Sequence, residues 1–268
     1  MYVKPLIFSI TRTSLHDGNG IRTVVYFKGC NMRCRWCHNP EGLCKEKQII
    51  FSASKCIGCN ICTSICPNVN TGIVDRSECI ACGRCTEACP VNALSVAGKD
   101  MSEDDIMQVV LKDREYYEKS GGGVTFSGGE CLLYPDFLAS LLKRCKKEKI
   151  HTLVESAFNV PWENIEKVIP YTDMFYVDIK HMDSKVHKQY TGCPNNLILE
   201  NLEKLSLCTK NFLIRTPVIP RVNDDSENIL KTEEFANRLG VGTERLKYNN
   251  LAGSKYESLS MPYEDFSQ

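Results

Sequence analysis

Residues 30–37 read C-N-M-R-C-R-W-C, and the spacing of Cys30, Cys34 and Cys37 decides how the rest of the chain is read. Gaps of three and two residues let one short loop bring three thiolates to three corners of a cubane [4Fe–4S] cluster. The fourth iron is then left without a protein ligand. An open iron binds substrate, whereas a fully ligated cluster only passes electrons. Buried or zinc-binding thiols are the competing reading, but structural zinc sites usually come as two C-x-x-C knuckles. Just upstream, residues 22–28 (R-T-V-V-Y-F-K) form a β-branched run, a strand leading directly into the first cysteine.

Two further runs carry eight more thiols. Residues 56–67 read C-I-G-C-N-I-C-T-S-I-C-P and residues 79–90 read C-I-A-C-G-R-C-T-E-A-C-P. Both follow C-x2-C-x2-C-x3-C-P and resemble two-cluster bacterial ferredoxins, in which the fourth cysteine of each run crosses to the other cluster. By that resemblance Cys56, Cys59, Cys62 and Cys89 bind one [4Fe–4S], and Cys79, Cys82, Cys85 and Cys66 bind the other. The repeat ends in V-N-A-L (91–94). An inserted α+β, bacterial-ferredoxin-like domain is therefore expected at 50–97, with 1–49 and 98–268 forming the remainder. These clusters have no open iron, so the insert reads equally as an electron carrier or a scaffold. Zinc and redox disulfides are the weaker alternatives for two complete copies.

The composition sets limits. Of 268 residues 43% are hydrophobic, enough for a sizeable core, and 33 basic residues balance 33 acidic ones. No net field steers the chain to nucleic acid or to a membrane surface. Sixteen cysteines would suggest disulfides in a secreted protein, but the opening M-Y-V-K-P-L-I-F-S-I lacks a signal peptide's apolar core. No apolar run approaches the roughly 18 residues of a membrane span. Thiols this numerous inside a cell read as cluster ligands held reduced. The expectation is a cytoplasmic protein working without oxygen.

Outside the insert, strands and helices alternate. Strands are expected at 22–28, 123–127, 150–155, 174–179, 212–216 and 244–248, and helices at 103–119, 135–147, 197–207 and 226–239. Six βα units suit an α/β fold, a partial (β/α)6 TIM-type barrel with its chemistry at the C-terminal strand ends. S-G-G-E (127–130) closes the second strand; its glycines allow close backbone approach and Glu130 can pair with an ammonium, though the tetrapeptide is also an ordinary turn. Cys131 beside it reads as a small inert residue. Asp178 and Lys180 in D-I-K share one face of the fourth strand, as a working pair or as a surface ion pair worth little. Glu155 and Ser156 end the third strand. Arg215 on the fifth strand reads equally as a fixed cation for a carboxylate and as a structural arginine. Cys44, Cys145, Cys193 and Cys208 are scattered and read as structural thiols.

The cysteine triplet, of the form C-x3-C-x-aromatic-C, and the glycine and D-I-K motifs resemble the radical S-adenosylmethionine (SAM) superfamily. Within it, H-D-G-N-G-I-R-T-V-V-Y-F-K-G-C (16–30), C-H-N-P-E (37–41), S-G-G-G-V-T-F-S-G-G-E (120–130), V-D-I-K-H-M-D (177–183), T-G-C-P-N-N-L-I-L-E-N-L (191–202) and the later I-R-T-P-V-I-P resemble the glycyl radical enzyme activating enzymes. These are relatives of pyruvate formate-lyase activase. The likeness spans nearly the whole chain, and the insert places it with the larger activases, such as those serving glycerol dehydratase and 4-hydroxyphenylacetate decarboxylase.

The resemblance implies three [4Fe–4S] clusters and SAM. Cys30, Cys34 and Cys37 would hold the SAM-binding cluster. SAM would be contacted by Trp36, His38, Gly128, Gly129, Glu130, Ser156, Asp178, Lys180, Arg215 and Asn249. In that family Trp36 would pack on adenine, the Gly-Gly-Glu turn would hold the methionyl amino group, and Arg215 or Glu155-Ser156 would lie near the carboxylate. A flavodoxin or ferredoxin-type reductant would supply one electron, SAM would split to methionine and a 5′-deoxyadenosyl radical, and that radical would take hydrogen from a backbone glycine of a partner glycyl radical enzyme. His16, Asp17, Gly18 and Gly20 read equally as the place where a glycine loop docks and as turn formers. A radical SAM enzyme acting directly on a small molecule or peptide is the alternative; a pure ferredoxin-type carrier leaves the other motifs unexplained. Three departures stand out: D-G-N-G for the usual D-G-P-G, L-K-Y-N (246–249) for L-P-Y-H so that Asn249 replaces a histidine, and an ending at M-P-Y-E-D-F-S-Q that leaves the expected barrel's closure open.

Overall fold

In the computed structural model residues 3–267 are described; Met1, Tyr2 and Gln268, the outer limits of the expected boundaries, lie outside them. The chain is built on one seven-stranded sheet. Its strands are β1 (Ile7–Ser14), β2 (Arg22–Phe27), β7 (Gly123–Gly128), β8 (His151–Ser156), β9 (Met174–Asp178), β10 (Phe212–Val218) and β11 (Gly242–Lys247), in that spatial order. From β2 to β11 every neighbour is parallel. Sequence neighbours on the sheet are thus neighbours in space, so all six parallel strands send their C-terminal ends to one side. β1 is antiparallel to β2 and was not anticipated.

Helices α3 (Glu103–Leu111), α4 (Arg114–Ser120), α5 (Pro135–Lys147), α6 (Trp162–Glu166), α7 (Ser184–Thr191), α8 (Asn196–Cys208) and α9 (Ser226–Leu239) connect the strands, and α10 (Gly253–Ser258) follows β11. One core joins Phe27, Phe126, Val154, Val177 and Ile214 from five strands to Leu138, Leu142 and Leu202 from the helices. Burial of this kind is worth roughly 25 cal/mol per Å² of apolar surface. The expected single helix at 103–119 is two helices. Asp113, in the break, turns its carboxylate under the sheet to accept from Arg12 of β1 and from Thr23 Oγ1 of β2 at 2.6 Å. The helix breaks so that Asp113 can make those bonds.

Residues 48–97 carry separate small sheets: β3 (Gln48–Phe51) antiparallel to β6 (Leu94–Ala97), and the hairpin β4 (Val69–Asn70) with β5 (Ile73–Val74). Short helices α1 (Ile61–Ile65) and α2 (Arg84–Glu87) lie between. This region has its own core of Ile49, Val69, Val74, Ala81, Cys85 and Leu94. Among the described residues no helix is long and apolar enough to cross a membrane.

Candidate functional site: a cysteine-lined cavity at the strand ends

The cysteine loop leaves β2 and is fixed from several sides. Gly29 N–H donates to Gly42 O at 2.8 Å, and Cys37 N–H closes a turn on Cys34 O at 3.1 Å. The residues flanking Cys34 are tied to the C-terminus of α7: Arg33 N–H donates to Thr191 O (2.7 Å) and Arg35 N–H to Tyr190 O (3.0 Å). Gly192 caps that helix in the left-handed region with φ 84°, which favours glycine. The T-G-C-P motif therefore supports the cysteine loop, a role its sequence did not reveal.

Cys30, Cys34 and Cys37 are free, half-buried thiols opening on a cavity of about 630 Å³. That volume is typical of small-molecule sites, which run to about 300–1,000 Å³. Its walls include His38, Gly128, Glu130, Asp178, Lys180 and Arg215, so the strand-end residues expected to act together are brought to one place. Gly129, Ser156, Trp36 and Asn249 line it too, as do His16 and Asp17. Burial pushes the Cys30 thiol up to about 12, with Glu130 adding to the effect, and burial likewise raises Cys34 and Cys37. Thiolates here need a nearby positive charge, which an iron cluster provides; binding then releases protons. Soft, clustered sulfur donors with a polar cavity alongside fit a cluster and a charged co-substrate. Among the described residues no three His, Cys, Asp or Glu side chains are grouped to hold a single metal ion.

A chain of ions crosses the cavity floor. Arg215 Nη1 donates to Glu155 Oε1 at 3.0 Å, Arg215 Nε to Asp178 Oδ1 at 3.3 Å, and Lys180 Nζ to Asp178 Oδ2 at 2.6 Å. Burial disfavours the Asp178 carboxylate, yet Lys180 and Arg215 together hold it below the usual range. Burial raises the Glu155 carboxyl, and Arg215 only partly offsets this. Arg215 sits mid-strand in β10 rather than at its end, with its guanidinium 4.9 Å from the Tyr176 ring centroid. It faces both carboxylates, which accounts for its structural role.

Other expected residues are committed within the protein. Glu130 is buried, and its carboxylate accepts from Leu132 N–H (3.1 Å), Ala157 N–H (3.1 Å) and Ser156 Oγ–H (2.9 Å). It clamps the ends of β7 and β8 together, with one of about four acceptor positions left over. The glycines before it line the cavity and are also required by the backbone. A Cβ on Gly128, whose φ is 124°, would meet Phe27 N at 2.3 Å, and one on Gly129 would meet Gly29 O at 2.3 Å and Gly42 O at 2.4 Å. Gly129→Ala should therefore cost about 2–3 kcal/mol and displace the cysteine loop, seen as a lower urea midpoint and reduced iron uptake. Gly20 is similar: with φ 69° its Cβ would meet Gly122 N at 2.4 Å, so it is a turn former. Trp36 lines the cavity but is only 5% exposed, with Phe266 edge-on at 5.9 Å and Tyr190 at 6.1 Å. Burial lowers the pKa of His38, whose Nε2 lies 3.0 Å from Asn249 O, so Asn249 engages through its backbone.

The C-terminal segment closes on the same loop. Arg35 makes a bidentate pair with Glu264, both bonds 2.6 Å, and Lys255 Nζ donates to His38 O at 3.0 Å. In residues 56–89 the thiols form two groups across the repeat. Cys56, Cys59, Cys62 and Cys89 line one small pocket, while burial followed by Cys66 and Cys79 raises Cys85.

Comparison with known proteins agrees with this geometry. The Radical SAM superfamily profile matches residues 24–232. The (2S)-3-sulfopropanediol dehydratase activating enzyme of Klebsiella oxytoca is 43% identical, over 96% of this chain and 86% of its own. The trans-4-hydroxy-L-proline dehydratase activating enzyme of Clostridioides difficile is 41% identical, over 98% and 90%. The structure of Streptococcus suis SuiB bound to precursor peptide SuiA superposes with a TM-score of 0.51 at 16% identity, covering 63% of this chain and 37% of that one, a likeness of fold alone. The chain belongs to the radical SAM superfamily and, within it, to the activating enzymes of glycyl radical enzymes.

Proposed function

We propose that this chain installs a glycyl radical on a partner enzyme, using a SAM-binding [4Fe–4S] cluster on Cys30, Cys34 and Cys37 and two further clusters in a ferredoxin-like insert at 50–97. The observation that carries it is the opening of three free thiols on one cavity with Asp178, Lys180 and Arg215. When bound, the cluster supplies the single electron that splits SAM to methionine and a 5′-deoxyadenosyl radical. The protein's own residues do the rest. Lys180 and Arg215 present fixed positive charge to a carboxylate, and Asp178 holds both in register. Glu130 acts as a positioning residue, setting Ser156 and the β7 turn. His38 and Asn249 form one wall for the adenosine end, and Trp36 supports the loop from behind. His16 and Asp17 face the cavity beside β1, where an extended glycine segment of the partner would reach the same space.

The sheet, with β1 and β11 at its two edges, fits a partial (β/α)6 barrel whose open side admits that segment. The grouping of Cys56, Cys59 and Cys62 with Cys89, and of Cys66 with Cys79 and Cys85, supports the crossed ferredoxin ligand sets. A flavodoxin or ferredoxin-type carrier is the expected reductant, and the cytoplasm of a cell living without oxygen the expected setting.

The test mixes the anaerobically reconstituted protein with SAM, a reductant and glycyl radical enzymes of the kinds its relatives activate, a (2S)-3-sulfopropanediol dehydratase and a trans-4-hydroxy-L-proline dehydratase among them. A protein-bound glycyl radical doublet in the EPR spectrum supports the proposal. SAM cleavage coupled instead to turnover of a small molecule or peptide favours the direct-acting alternative.

A further inference from the structure

The insert and the cysteine loop both contact α10. Arg76 is half-buried three residues before Cys79, and donates to Ile49 O of β3 and to Ser258 O of α10 at 3.2 Å. On its other side α10 grips the residues that follow Cys37. Lys255 Nζ donates to His38 O at 3.0 Å and to Asn39 Oδ1 at 3.1 Å, and lies 3.7 Å from Glu41. Tyr256 of the same helix is buried at 5% exposure. A chain of contacts thus runs from Arg76, three residues before Cys79, to Ser258 of α10 and from Lys255 of the same helix to His38, the neighbour of Cys37. The other thiol group, around Cys56, lines a pocket made wholly of insert residues.

We infer that Arg76 and α10 form an internal strut holding the Cys66, Cys79, Cys82 and Cys85 group, rather than the Cys56 group, against the cysteine loop, so that this group exchanges electrons with it. The inference rests on the reading that the insert binds two clusters. Electron transfer through protein falls steeply with separation, so the group held closer controls delivery. The balance is one electron: a flavodoxin or ferredoxin-type carrier is oxidised by one, and the site at Cys30, Cys34 and Cys37 is reduced by one.

The full chain, reconstituted anaerobically and reduced, tests this through iron content and EPR relaxation of the signal that SAM perturbs. A nearby paramagnetic cluster speeds relaxation and raises the microwave power needed for half-saturation. Cys79→Ala should lower iron by about four atoms per chain and reduce that power several-fold, whereas Cys59→Ala should lower iron equally and leave the power unchanged. Arg76→Ala keeps every thiol, so iron should stay constant while the power falls. An unchanged relaxation in Arg76→Ala, or a larger effect of Cys59→Ala than of Cys79→Ala, overturns the strut. Only about four irons in the unaltered protein would overturn the two-cluster reading itself, and the strut with it.

Discussion

Cys34→Ala should abolish reductive SAM cleavage while leaving the fold and the insert in place. Cys34 makes no disulfide, and the backbone around it is held by bonds that do not involve its side chain, from Arg33 and Arg35 to the carbonyls of Thr191 and Tyr190. Removing the thiol therefore leaves a formed loop with two ligands, Cys30 and Cys37, too few to retain a site-differentiated cubane. Iron should fall by about four atoms per chain from a total of about twelve, and 5′-deoxyadenosine formation should drop to background. The near-ultraviolet circular dichroism and urea midpoint of the metal-free variant should match those of the metal-free parent. Full activity in this variant would remove the assignment of the loop as the cluster site.

Arg215→Met should produce the largest stability change away from the thiols. Arg215 is 9% exposed and lies between Glu155 and Asp178. Methionine fills much of the volume but strands the Glu155 carboxylate, while Asp178 keeps Lys180. Breaking a buried pair by removing one partner costs about 3–5 kcal/mol, read here as a lower urea midpoint at neutral pH. The sign of the pH dependence follows from Glu155. Burial already raises its carboxyl, and loss of the arginine raises it further, so the destabilised species is the ionised one. The gap between variant and parent should be largest at neutral pH and shrink on acidification as Glu155 takes up a proton. SAM affinity should fall in the same variant, because the cation facing the cavity is gone. A stability difference that grew on acidification would contradict this account of the ion chain.

The strand leading into the cysteine loop and the order of βα units were legible because each depends on local spacing. Pro135–Lys147 was expected as a helix and is one, since its apolar positions recur on one face and Pro135 begins it. What escaped reading depends on partners distant in sequence. The break at Asp113 requires Arg12 and Thr23, about a hundred residues upstream. Glu130 read as a carboxylate able to pair with an ammonium, and its bonds from Ser156 and Ala157 were not legible. Gly128 and Gly129 suggested close ligand approach, and the further demand on them from the backbone of Phe27, Gly29 and Gly42 was not legible. β1 was missed because half of its residues are only partly covered and its apolar alternation is weak. Glu264 and Phe266 fold back onto Arg35 and Trp36, a contact no local pattern encodes.

The most direct measurement is anaerobic: reconstitute the protein, reduce it, add SAM, and quantify methionine and 5′-deoxyadenosine alongside iron and sulfide. The account predicts both products in equal amounts from a protein carrying about twelve irons per chain. Full iron loading with neither product formed would contradict it.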